Sequence, residues 1–211
     1  MDTKKPFWLA IKILFVECIL LAAIMPGDWA QRVAVQELDL FLTRLGEEEH
    51  FWIMSKSERW YQYTLIDTGI HKVLSGAFMP SQEAIGRTDG MEGLNRTWRL
   101  IAENRITAIT SVYYYMLNRI ALLYLWLPYM AILIIPATFN GITVWRIKRT
   151  NFQTASQTLH HYGTNLLNIL VFVTFSLLLA PIILDPVIIP IMFVSVAILV
   201  GVILGNTQKR I

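Results

Sequence analysis

Residues 121–145 read ALLYLWLPYMAILIIPATFNGITVW, and residues 146–163 continue RIKRTNFQTASQTLHHYG. The first stretch carries no charge and is longer than the ~20 residues a helix needs to cross a bilayer core. A backbone in hydrocarbon must satisfy its own polar groups, so the run is expected to be helical. The second stretch opens with Arg146, Lys148 and Arg149. Basic residues at the end of a span mark the cytoplasmic side. Pro128 and Pro136 lie within the run; each removes a backbone donor, so the span is expected to bend against a helix that covers the freed carbonyls.

The rest of the chain fits this setting. Of its 211 residues 55% are hydrophobic and only 16% charged, whereas a soluble domain is about 45–50% apolar. The net charge of +3 is placed beside the apolar runs, which argues for membrane topology over a basic face for nucleic acid. The single cysteine, Cys18, stands in an apolar run and excludes an internal disulfide framework.

Lys4 and Lys5 precede a first apolar segment at 7–25. A cleaved signal peptide has a shorter apolar region and a small-residue cleavage site, which AAIMPG is not, so an uncleaved signal anchor is expected. Lys12 can extend its stem to the headgroups. Glu17 falls near mid-span, where a carboxylate costs about 2.5–3.5 kcal/mol, and is expected to face another helix or to be protonated.

Between residues 26 and 118 the long apolar runs give way to helical periodicity. Ala34, Leu38, Phe41, Leu42 and Leu45 fall on one helix face, and Tyr63, Ile66, Ile70, Val73 and Leu74 mark a second. Between them, Glu47, Glu48 and Glu49 suit the first turn of a helix, where the macrodipole favours negative charge. Metal binding by Glu48, Glu49 and His50 is disfavoured because consecutive helical residues point apart. Residues 75–95 are dense in glycine and read as a loop without a phosphate-cradling pattern. A helix is expected to resume at Leu94, with Trp98, Ile101, Ala102, Ile109, Val112 and Met116 at helical spacing. It should run past Asn118 and Arg119 into the membrane, with Tyr113, Tyr114 and Tyr115 as an interfacial belt. Tryptophans beside arginines in this region resemble a stacking surface for single strands. The acidic residues interleaved with them argue for a membrane surface instead, and no direct nucleic-acid binding is expected.

The expected architecture is an all-α membrane protein of four transmembrane helices, with a helical extracytoplasmic segment between spans one and two. The divisions are 1–26 (cytoplasmic start and helix 1), 27–118 (extracytoplasmic helices), 119–145 (helix 2), 146–164 (basic cytoplasmic loop), 165–204 (hairpin of helices 3 and 4) and 205–211 (cytoplasmic tail). Asp185 and Pro186 form the hairpin turn, with Asp185 capping helix 4, and Gly201 and Gly205 make a small-xxx-small face. Both termini are expected on the cytoplasmic side of the membrane.

No metalloprotease, nucleophile-elbow, Walker, Cys-x-x-Cys or dinucleotide motif occurs, so no enzyme activity and no cofactor are expected. His160 and His161 stand in the basic loop without nearby cysteine or carboxylate, which favours a contact role over metal binding. Arg146, Lys148 and Arg149 can bind anionic lipid. The polar stretch after them exceeds what a turn requires, so these three with His160 and His161 are candidate partner-binding residues. Glu17 and Arg119 are the intramembrane polar candidates.

At this loop the chain resembles a family of bacterial inner-membrane proteins encoded on integrating conjugative elements and related plasmids. Its members carry Asp-Gly, then arginines, then Glu-Ser, then a tyrosine or histidine pair. The corresponding residues here are Asn140 and Gly141, Arg146 and Arg149, Ser156, and His160 and His161. Asn140 stands where the family has aspartate, and Ala155 where an acidic residue precedes Ser156. The resemblance implies an accessory component of conjugative DNA transfer, partnered by membrane lipid and other membrane proteins, among them the type IV secretion coupling protein. The alternative from another class is a small transporter or ion-translocating subunit using Glu17.

Overall fold

The structure, a computed structural model, describes residues 12, 16, 27–78, 92–151, 154–180 and 182–207. All regular structure among them is helical: α1 (Gly27–Leu45), α2 (Glu47–Tyr61), a π-helical turn (Gln62–Ile66), α3 (Ile70–Phe78), α4 (Glu92–Thr150), α5 (Gln157–Leu179) and α6 (Ile188–Gly205). Three of the described helices are long and apolar enough to cross a membrane, at Thr97–Thr150, Gln157–Leu179 and Ile188–Gly205. Only 11%, 6% and 28% of their most apolar windows are buried by the chain itself, so their apolar side chains need a cover other than water. The segment expected as a first span, with Glu17, lies outside the described residues except for Lys12 and Val16, both helical and exposed.

Two compact units are present, one comprising residues up to Ala121 together with Leu178–Asp185, the other Leu122–Leu177 with Pro186 onward. In the first, Gly46 separates α1 from α2 with φ 101°, a backbone that glycine adopts without steric penalty. Glu47, Glu48 and Glu49 fill the first turn of α2 as expected. The buried stripe of α1 is Ala30, Val33, Ala34, Glu37 and Phe41. It is turned from the expected face: Leu42 is exposed and a carboxylate stands inside the stripe. Ala30 and Ala34 pack on Tyr115 of α4, with Val112 beside them. Tyr61 meets Tyr114 edge-on at 5.7 Å, and the Tyr113 hydroxyl donates to Thr64 Oγ1 at 2.7 Å.

The second amphipathic helix expected across 63–74 is interrupted. Gly69, at φ 75°, ends one segment and starts another, and Tyr63, Ile66, Ile70 and Val73 are exposed. Helix α4 runs unbroken through Pro128 and Pro136 for 59 residues.

In the second unit α4 and α6 approach closely through small residues. A Cβ on Gly141 would lie 2.8 Å from the Gly201 carbonyl oxygen, and one on Gly201 would lie 3.3 Å from that of Ala137. The expected small-xxx-small face of α6 thus has a matching pair, Ala137 and Gly141, on α4.

The segment expected as a loop at 146–164 is largely helical. Helix α4 continues to Thr150 and α5 begins at Gln157, leaving only a short connection. The hairpin expected at Asp185 and Pro186 is also different, because α5 already ends at Leu179. Proline at 181 disfavours helical geometry at Ala180. Val187 occupies the N-cap of α6 without a side-chain cap. The Asp185 carboxylate lies 3.5 Å from Arg44 of α1.

Candidate functional site

The stripe of α1 that carries Glu37 faces the level of α4 where Tyr115 and Arg119 stand one turn apart. Glu37 is 2% exposed and Arg119 0%. The guanidinium binds the carboxylate in a fork, Nε to Oε1 at 2.8 Å and Nη2 to Oε2 at 2.6 Å. This planar bidentate match is available to arginine and not to lysine. The remaining donors reach the end of α5: Nη1 donates to the Ala180 oxygen at 2.7 Å and more weakly to that of Leu178, while Nη2 also donates to the Ile182 carbonyl. The guanidinium carbon sits 4.8 Å from the Tyr115 ring centre, and the Tyr115 hydroxyl donates to the Leu179 oxygen at 2.8 Å.

The last carbonyls of a helix have no partner within it. Here two side chains from α4 supply the donors for residues 178–182, where α5 unwinds. Glu37 completes the node by accepting from the Leu184 backbone N–H. Burial pushes the Glu37 carboxyl above its usual range, while the hydrogen bond and charge of Arg119, and the Leu184 N–H, pull it down; burial is the largest effect.

A second node lies in the other unit, at the end of α6. Asn206 Oδ1 accepts from Lys148 Nζ at 2.8 Å and from the Ser156 backbone N–H at 3.4 Å, and its Nδ2 donates to the Val202 oxygen. His160 Nδ1 lies 3.2 Å from the Ile203 oxygen; a carbonyl partner requires the proton on that nitrogen. Gly163 lets α5 approach α6, since a Cβ there would meet Ile203 at 2.9 Å. A cation and a ring N–H at a helix carboxyl end also complement its dipole.

The five candidate partner-binding residues therefore do not form one surface. Lys148 and His160 are half-buried and turned to the end of α6. Arg146 and Arg149 are exposed, the latter over the Trp145 ring at 5.6 Å. His161 is exposed beside Asn165 Nδ2 at 3.2 Å. Of the two intramembrane polar candidates, Arg119 is the centre of the first node, and Glu17 lies outside the described residues. Sequence reasoning missed Glu37, Tyr115 and Asn206. Glu37 was detectable as the one charged residue in the stripe 30, 33, 34, 37 and 41; nothing local identifies its partner, 82 residues away.

Both nodes hold helix ends by saturating backbone groups. Among the described residues, no three His, Cys, Asp or Glu side chains are placed to hold a metal. In a comparison with protein families, the family model described as "IncC plasmid conjugative DNA transfer protein DtrJ-like" matches residues 22–211. No curated protein and no solved structure matches the chain.

Proposed function

The chain belongs to the DtrJ-like family of IncC plasmid conjugative DNA transfer proteins, and on that footing we propose that it is a non-catalytic scaffold of the transfer apparatus in the bacterial inner membrane, partnered by the type IV secretion coupling protein. Helix α4 carries the scaffold reading. Its 59 residues are far more than the ~20 that a span needs. One helix therefore supplies both a span and a further helical stretch. The basic residues at its Lys148 end support a cytoplasmic location for that end, with residues 27–118 extracytoplasmic and both chain termini cytoplasmic in this reading. Exposed Arg146, Arg149 and His161 are then available to a cytoplasmic partner, while Lys148 and His160 hold the platform that presents them.

The test is deletion of the gene from the parent plasmid with transfer frequency as readout, paired with affinity purification from mating-competent membranes. Transfer should fall and be restored by the wild-type chain, and the coupling protein should co-purify. Undiminished transfer, or recovery without any component of the transfer machinery, would reject the proposal. Transfer lost on Glu17→Gln alone, with the protein still folded and complexed, would favour the ion-translocating alternative.

A further inference from the structure

An apolar slot of about 490 Å³ runs between α4 and α6 in the second unit. Leu133, Ala137 and Val144 line it from α4, and Val194 and Ile198 from α6. Asn140 also lines it and is exposed; among the described residues its amide has no hydrogen-bond partner. An amide without a partner is expensive in hydrocarbon, so this position calls for a polar group from outside the chain.

Its depth indicates which. Asn140 precedes Arg146 by six residues and Lys148 by eight, or about 9 and 12 Å along the helix. The headgroup layer on each side of a bilayer is about 5–7 Å thick. With the cations at the outer edge of that layer, Asn140 therefore lies about 2–7 Å beneath it, in the outermost hydrocarbon just below the ester groups. Asn140, Val144 and Lys148 follow at four-residue steps on one helix face. Asn206, which holds the Lys148 ammonium, lines the same slot. The slot thus presents apolar wall and then the Asn140 and Asn206 amides, and the Lys148 ammonium stands just beyond it, bonded to Asn206, in the order in which a phospholipid presents chain, ester and phosphate.

We infer that the slot is a binding site for one anionic phospholipid, its chain along α4 and α6, its ester near Asn140 and its headgroup at the Lys148 ammonium beside Asn206. A transmembrane helix of a partner would fill the apolar part but bring no anion to the basic end. The inference rests on the reading that α4 and α6 cross a membrane with the Lys148 end at the headgroups.

The test uses the full chain, extracted from membranes in mild detergent, washed free of bulk lipid and weighed intact by native mass spectrometry before and after adding phosphatidylglycerol or phosphatidylethanolamine. The wild type should retain phosphatidylglycerol about tenfold better than phosphatidylethanolamine. Val194→Trp, or Ile198→Trp should the first fail to fold, fills the slot from its rim and should lower retention at least about tenfold, with helicity and elution volume unchanged. Replacing Lys148 by glutamine, which can still donate to Asn206, should remove the preference between the two lipids. Equal retention of both lipids by the wild type, or undiminished retention by the slot-filling variant, overturns the inference. So does a dimer that the tryptophan variant breaks, which assigns the slot to a second copy. A chain absent from the membrane fraction defeats the membrane reading itself, whereas a membrane-bound chain that retains no lipid defeats only the slot.

Discussion

Arg119 and Glu37, 82 residues apart in the chain, form a two-point ion pair that neither shares with bulk water. The same guanidinium also holds the Leu178, Ala180 and Ile182 carbonyls, so its loss would release three elements at once.

Arg119→Leu is expected to destabilise the first unit by about 3–5 kcal/mol, the range for removing one member of a buried pair. Adding Glu37→Leu should recover only part of this. The stranded carboxylate is then gone, but the carbonyls of α5 still lack donors. Thermal unfolding of the single and double variants measures the difference; full recovery would show that the carbonyl contacts carry little.

The pH response of the node follows from the Glu37 carboxyl, which burial raises above its ordinary value of 4.5. A carboxyl raised on folding binds its proton more readily in the folded state. Its contribution to stability is thus fully present below 4.5 and lost as pH rises through the folded-state value. Stability should rise on acidification from neutrality towards pH ~4.5, and Glu37→Gln should flatten that slope. A wild type that loses stability relative to Glu37→Gln over the same range would show that the pull of Arg119 outweighs burial.

Close approach of α4 and α6 predicts a graded response to added methyl groups. Gly141→Ala places Cβ 2.8 Å from both the Gly201 oxygen and the Leu204 Cβ, and should cost about 1–3 kcal/mol. Gly205→Ala meets the Val144 side chain first, at 3.2 Å, and should cost less because a side chain yields more readily than backbone. Gly76→Ala in α3 meets nothing within 4 Å and should stabilise by about 0.4–1 kcal/mol. Unfolding of the three variants in one detergent tests the order.

Asn206→Leu removes the acceptor shared by Lys148 and the Ser156 amide. A loss of about 1–3 kcal/mol is expected, the penalty for leaving such donors unmade. Proteolysis between Thr150 and Gln157 should accelerate in this variant, because the connection between α4 and α5 loses its anchor. An unchanged cleavage rate would show that Gly163 and His160 hold the helix ends without it.

Much of this architecture was legible in local pattern. The uncharged run at 121–145 predicts a helix because a backbone in hydrocarbon must bond to itself, and α4 includes it whole. The acidic triplet after Gly46 starts α2, and the glycines of α6 mark a close packing face, for the local reasons expected. The resemblance carried by the residues from Asn140 to His161 also pointed to a conjugative-transfer family, which the match over residues 22–211 bears out.

The sequence by itself determined the helical, apolar character of the chain and its family, because periodicity, helix-end charge and motif residues act within a few turns. Only the tertiary structure decided what the polar residues do. Glu37 became the partner of Arg119, Asp185 faced Arg44, and Lys148 and His160 turned inward to the end of α6. Each of these roles is set by which unsatisfied group lies within hydrogen-bond reach after folding. For Glu37 that group is 82 residues away, a separation on which local periodicity carries no information.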